Sequence, residues 1–245
     1  MFSYEQIQSL NELEMEVYNY VIVHLEQVSH MRIRELAESA HVSTSTILRF
    51  CNKLGCDGYT EFKLKVKMLQ NQKQEPHVFE TPQLMTEFFR KAQTEEFDAL
   101  LDQAAGIIMA AEKVVFYGIG SSGTLGKYGA RFFSNIGKYT QYLEDPFYPY
   151  PKDYYDKAVL IALSVEGEQR TVISQINGYK SQRSKVISIT NTDTSTIAKM
   201  ADLNISYYMP LNIVGKHYNI TSQVPVVYIL ETIGRKLQLL LESQR

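Results

Sequence analysis

Three short stretches of this 245-residue chain carry side chains whose type and spacing point to chemistry. The first is Ser43, Thr44, Ser45 and Thr46, followed by Arg49 and Lys53 at helical spacing. Short hydroxyls let a helix approach a surface closely. A guanidinium fork matches O6 and N7 of guanine, and an ammonium suits a phosphate. The second is Gly118-Ile-Gly-Ser-Ser-Gly123, with Gly120, Ser121 and Ser122 as candidate anion donors; the third is Ser164-Val-Glu-Gly-Glu-Gln169, with Ser164, Glu166, Gly167, Gln169 and the following Thr171 as candidates. Hydroxyls and backbone amides at the start of a helix are the groups that hold a terminal phosphate.

The second stretch is formally G-x-G-x-x-G, the dinucleotide-binding pattern, and the acidic pair Glu144-Asp145 closes the next strand as that pattern asks. A dinucleotide loop relies on bare backbone close to the pyrophosphate. Two adjacent serines fit a terminal phosphate better, and no cofactor is expected.

These groups need elements to position them. From Leu10 to about Leu69 apolar spacing is helical. Ile33, Leu36, Ala37 and Ala40 form one stripe, Val42 plugs a turn, and Ser43 is placed to cap the next helix. Ile47, Cys51 and Leu54 form that helix's buried face, and Gly55 supplies its terminating position. Two short helices joined by a tight turn make a helix-turn-helix, whose second helix enters the major groove. His41 stands where glycine is usual, and histidine is among the residues that tolerate a left-handed backbone.

A polar stretch from Asn71 to Thr81, with Pro76 and Pro82, reads as a linker. Helix returns over Leu84–Ala111, and then β-branched runs alternate with helices: Val114–Tyr117, Tyr139–Leu143, Ala158–Leu163, Val186–Thr190 and Leu203–Tyr208. Helices are expected over Thr124–Ile136 and, last, Ser222 to Leu241. The expected architecture is two domains: an all-α helix-turn-helix bundle over 1–75, a linker over 76–83, and over 84–245 a three-layer α/β domain with a parallel five-stranded sheet. Loops at the carboxyl edge of such a sheet can converge on one ligand.

Composition narrows the class. With 44% hydrophobic and 21% charged residues the chain can bury cores. The formal net charge of −2 hides an asymmetry. Residues 1–30 carry glutamates and no Lys or Arg, whereas 31–73 hold Arg32, Arg34, Arg49, Lys53, Lys63, Lys65, Lys67 and Lys73 against four carboxylates. A local basic face suits phosphate contacts; a solvated helical surface is the plain alternative. Cys51 and Cys56 read as small buried thiols, neither a disulfide framework nor a zinc set. No secretory leader or membrane-length apolar run is evident, so a reduced, cytoplasmic protein without membrane contact is expected.

The string from Arg34 to Gly55, then Gly58-Tyr59 and Glu61-Phe62-Lys63, resembles the N-terminal domain of the RpiR family of bacterial regulators. In that family the helix-turn-helix precedes a SIS (sugar isomerase) domain. The resemblance implies that Ser43 to Arg49 is the DNA-reading segment. Over roughly 105–245 the two loops, with Ser188-Ile-Thr190 and the tail helix, resemble the SIS domain. There the first loop carries adjacent serines and the second usually reads Ser-x-Ser-Gly-x-Thr.

Ser164 and Gly167 fit that pattern, but Glu166 replaces the second serine and Gln169 the threonine. A carboxylate about 4 Å from a phosphate repels each unit of charge by roughly 4 kcal/mol at an effective dielectric near 20. Three readings stay open. Glu166 points away while Ser121, Ser122 and Thr171 hold a phosphosugar; the ligand is neutral or carries an amine; or the domain only dimerises. The stretch Phe147–Tyr155 reads as a packed loop in preference to an aromatic ligand platform. Lys216 and His217 are weak site candidates. An isomerase would need a base near the operating pH, for which only Glu231 and His217 offer themselves. A non-enzymatic regulator fits best, partnered by double-stranded DNA and a sugar-related effector and working as a homodimer or homotetramer.

Overall fold

A computed structural model describes residues 4–72, 81–147, 156–215 and 218–243. The chain divides into two compact units, residues 1–88 with 208–222 and residues 89–207 with 223–245.

The first unit contains α1 (Tyr4–Gln8), α2 (Glu12–Val23), α3 (Leu25–Val28), α4 (Ile33–Ser39), α5 (Thr44–Lys53) and α6 (Tyr59–Gln72). Val17, Tyr18, Val21, Leu36, Ile47, Phe50, Phe62 and Val66 are buried in one cluster. Each such side chain removed from water contributes about 1.5–3 kcal/mol. Phe50 and Phe62 meet edge to face, centroids 5.3 Å apart.

The turn between α4 and α5 is the sharp one the sequence implies. His41 takes φ +54°, its N–H donates to the Glu38 carbonyl (3.2 Å), and the Val42 N–H donates to the Ala37 carbonyl (2.9 Å). This is a Schellman closure with histidine in the left-handed position. Gly55, at φ +68°, ends α5 the same way, with the Cys56 N–H on the Cys51 carbonyl at 2.9 Å.

The helix expected over Leu84–Ala111 is two helices, α7 (Thr81–Ala92) and α8 (Glu95–Ala110). The break comes from Thr94, which turns extended and caps α8 by accepting the Phe97 N–H at 3.3 Å. Residues 81–83 of the expected linker belong to α7, while 73–80 lie outside the described residues.

The second unit runs β1 (Lys113–Gly118), α9 (Ser121–Asn135), β2 (Thr140–Tyr142), β3 (Ala158–Ser164), α10 (Arg170–Ser181), β4 (Lys185–Thr190), α11 (Thr196–Met200) and β5 (Leu203–Ser206), then α12 (Val224–Glu242). All pairings are parallel and the strand order is β2-β1-β3-β4-β5. Alternate residues of β1 face opposite layers. Phe116 meets Phe133 of α9 edge to face at 5.3 Å. Val115 and Tyr117 pack with Val172, Ile176 and Tyr179 of α10. Helices α8 and α12 pack with α9 on one face; α10 and α11 cover the other. The three layers and five parallel strands are those expected from the sequence. Three differences stand out. Helix α9 begins at Ser121, not Thr124, so both serines lie in its first turn. The last strand ends at Ser206, and Tyr208 takes φ +51°. Between β5 and α12 in the chain, in the stretch that belongs to the first unit, an unforeseen antiparallel pair, β6 (Ile213–Val214) and β7 (Tyr218–Asn219), forms.

Candidate functional site

Helix α5 presents the first group of candidates. Ser43 caps it: its Oγ accepts the Thr46 N–H at 3.2 Å and lies 2.7 Å from the Ser45 Oγ. Thr44, Ser45 and Arg49 are exposed. Thr46 is buried at 2% exposure and turns its hydroxyl to Ser43 Oγ (2.9 Å) and Arg49 Nη2 (3.4 Å). It supports the outer face without belonging to it. Lys53 is drawn back toward the bundle: its Nζ lies 2.6 Å from Glu14 Oε2 and donates to the Ser9 carbonyl at 2.6 Å. The structure therefore groups Ser43, Thr44, Ser45 and Arg49 on one end of the helix and separates Thr46 and Lys53 from them.

The second group sits at the carboxyl edge of the sheet. Strands β2 and β3 flank β1 on opposite sides, so the topological switch point falls between β1 and β3. In open α/β sheets this is where a crevice for ligands opens. The two loops leaving these strands are 118–123 and 164–169, the two singled out by their residues.

The helices that follow these loops start alike. Gly120, at φ +60°, is the N-cap of α9 and provides no side-chain acceptor; Gln169, the N-cap of α10, makes no side-chain cap bond either. In α2, α5, α8 and α11 the N-cap side chain accepts a first-turn N–H, whereas α3, α4 and α12 also start without such a bond. What sets α9 and α10 apart is their place at the carboxyl edge of neighbouring strands. The first-turn amides of α9 and α10 thus keep the partial positive charge of a helix start without a capping side chain. Ser121 is exposed beside them, whereas Ser122 is buried. The Tyr142 hydroxyl braces this loop by donating to the Gly118 carbonyl at 3.0 Å, and Gly123 is small because a Cβ there would sit 2.7 Å from that phenol oxygen.

The second loop is held tightly. Ser164 Oγ accepts the Gly167 N–H at 3.1 Å. Gly167 has φ +72°, and a Cβ on it would lie 2.1 Å from Ser195 Oγ. The Gly167 carbonyl accepts the Ile197 N–H at 2.9 Å, and Glu168 Oε1 accepts the Thr196 N–H at 2.7 Å. Glu168 thereby closes the start of α11, a role the sequence pattern did not disclose. Its acidic neighbour Glu166 and Gln169 are exposed. The Thr171 hydroxyl is buried and faces the Tyr117 phenol. Burial holds that phenol above its ordinary pKa, and the Thr171 contact partly offsets the rise.

Other candidates resolve more simply. Glu144 forms an ion pair with Lys127, and Asp145 Oδ1 accepts the Phe147 N–H at 2.8 Å, so this acidic pair has local partners. Glu231 accepts from the Tyr128 hydroxyl at 2.7 Å and from Arg235 Nη2 at 2.6 Å. Lys216, His217 and all of Phe147–Tyr155 from 148 to 155 lie outside the described residues. Cys51 and Cys56 are both buried free thiols, and desolvation pushes Cys51 up to about 12. Among the described residues no group of three His, Cys, Asp or Glu could hold a metal ion, and no helix is long and apolar enough to cross a membrane.

Fold and sites together define a helix-turn-helix regulator joined to a sugar-isomerase-type α/β domain. A sequence model described as "Helix-turn-helix domain, rpiR family" matches residues 4–73, and one for the SIS domain matches residues 107–231. The chain belongs to the RpiR family of transcriptional regulators. It is 26% identical over 199 residues to the HTH-type transcriptional regulator GlvR of Bacillus subtilis, covering 80% of this chain and 78% of GlvR. It is also 26% identical over 218 residues to the bifunctional protein glk of Burkholderia thailandensis, covering 79% of this chain but 32% of that protein. Vibrio vulnificus NanR, solved in complex with ManNAc-6P, shares the fold with a TM-score of 0.54 at 19% identity, over 97% of this chain and 89% of NanR.

Proposed function

We propose that the chain binds operator DNA through α5 and that a phosphorylated sugar bound in the β1/β3 crevice sets its affinity. The observation that carries the effector half is the pairing of two helix starts without side-chain caps, α9 and α10, at the switch point of the sheet. Backbone amides at a helix start favour an anion, and Ser121 adds an exposed hydroxyl. The ligand of NanR, ManNAc-6P, carries the phosphate such a site suits. Because Glu166 is exposed, its charge is screened, and its repulsion falls toward the roughly 1 kcal/mol that applies in water at about 4 Å.

For the DNA half, Thr44 and Ser45 allow close approach to the major groove and Arg49 reads a guanine. Two copies joined through their SIS domains, as a homodimer or a tetramer of such pairs, would place two copies of α5 on half-sites about one helical turn apart, or a multiple of it. The effector changes DNA affinity to the extent that it prefers one arrangement of the copies. Glu231, the candidate base of an isomerase, is held by Tyr128 and Arg235, which favours a regulator over an enzyme.

The test is a thermal-shift screen of sugar phosphates, amino sugars and their unphosphorylated forms. A ligand at 100 times its Kd stabilises the folded state by about 2.7 kcal/mol. Shifts confined to phosphorylated members support the reading. Shifts confined to unphosphorylated amino sugars would assign the crevice to Glu166, and no shift at all would leave the domain a dimerisation module.

A further inference from the structure

We propose that Lys53 is a positioning residue, which with Glu14 locks the last turn of α5 onto α1 and α2 and so sets how the helix presents Arg49. The proposal rests on the DNA-binding reading and departs from the sequence expectation that Lys53 contacts phosphate.

The lock is assembled from four groups. Glu14 is 1% exposed, and its Oε2 accepts both the Lys53 ammonium at 2.6 Å and the Asn11 N–H at 2.9 Å. Asn11 Oδ1 accepts the Glu14 N–H in return at 3.0 Å, completing a capping box at the start of α2. Lys53 also donates to the Ser9 carbonyl, just beyond α1, at 2.6 Å. Two of the three ammonium donors are therefore committed to the bundle.

Energetics oppose release of this lysine to a phosphate. Glu14 is a buried carboxylate, and removing its cation strands the charge in the interior, which is strongly destabilising. Lys53 is itself 37% exposed, so the penalty falls on Glu14, the buried partner it would leave behind. Lys53 also sits in the last turn of α5, where a cation is favoured by the helix dipole. Position along the chain hides this pairing, because Glu14 lies 39 residues away in an otherwise acidic segment.

The two roles of Lys53 predict opposite signs for one substitution. A duplex is first selected from a random-sequence library by the wild-type chain. Binding by K53M, E14Q, the double variant and K53R is then measured across a salt series, at a temperature where melting curves show all of them folded. For a lock, K53M and E14Q each weaken binding tenfold or more and the double variant is no weaker than the worse single. The slope of log affinity against log salt stays that of the wild type, and K53R recovers binding. A phosphate contact instead lowers the slope magnitude of K53M by about 0.9. It also makes E14Q bind more tightly, because the lysine is freed and a negative charge removed. That pair of results, or unchanged affinity in K53M, overturns the proposal. Failure of the wild-type chain to select any duplex is a different outcome: it overturns the DNA-binding reading and the positional role with it.

Discussion

Helices α5 and α9 both begin where a ligand is expected, and they begin in opposite ways. Helix α5 closes its own start: the Ser43 hydroxyl takes the Thr46 N–H, and under the proposed function side chains further along do the reading. Helix α9 starts on Gly120, with no side-chain acceptor. The difference matches what each end would recognise under the proposed function. A duplex is told apart by side chains reaching base edges, so the backbone of the reading helix can be fully satisfied. A terminal phosphate is recognised by the amides themselves, so a cap there would compete with the ligand.

Several substitutions break or sharpen this contrast. The largest effect is expected from Gly167→Ala in the crevice. Positive φ costs about 1–3 kcal/mol, and the new Cβ displaces Ser195, whose hydroxyl caps α11 through the Ala198 N–H at 3.3 Å. With the cap worth about 1 kcal/mol, the unit loses roughly 2–4 kcal/mol in chemical denaturation. A loss within a few tenths of a kilocalorie would show that this loop is not held as described.

Next comes Arg49→Ala, expected to weaken binding of a selected duplex by about 1–3 kcal/mol and to relax preference at one base position. Unchanged specificity in a repeated selection would reassign Arg49 to the backbone. Ser43→Ala removes the cap of α5 and is expected to cost about 1 kcal/mol of thermal stability.

Glu166→Ser is the smaller test. With Glu166 exposed, the gain for a phosphosugar is about 1 kcal/mol, roughly fivefold in Kd by calorimetry. No gain would remove repulsion from the account. Smallest of all is the thiol test. Burial raises both cysteines, Cys51 to about 12, so neither is expected to react rapidly with an alkylating reagent at pH 8. Fast modification of either would mean that the bundle opens.

The contrast also explains what could be read without coordinates. The α4–α5 turn was legible to the residue, because its cap, its stripe and its stop are local: Ser43, Ile47-Cys51-Leu54 and Gly55. The strands were legible as β-branched runs, with ends off by one or two residues. Their order was not, because pairing β1 between β2 and β3 is a long-range choice that leaves no local mark. It is that order which brings the two loops to the switch point of the sheet. Thr46, one of the short hydroxyls expected to approach the duplex, stands one turn before Phe50, and both are buried. The break at Thr94 did leave a mark, a threonine followed by Glu95 and Glu96, which is the beginning of a helix inside an apparently continuous one. Lys53 and Glu14 left none.

The most direct test of the central claim is the affinity of the wild-type chain for its selected duplex, measured by fluorescence anisotropy with and without hexose and aminohexose phosphates. At least one phosphorylated sugar is expected to change the Kd tenfold or more, and its unphosphorylated counterpart to have no effect. Identical affinities across the whole panel would contradict control of DNA binding through the crevice.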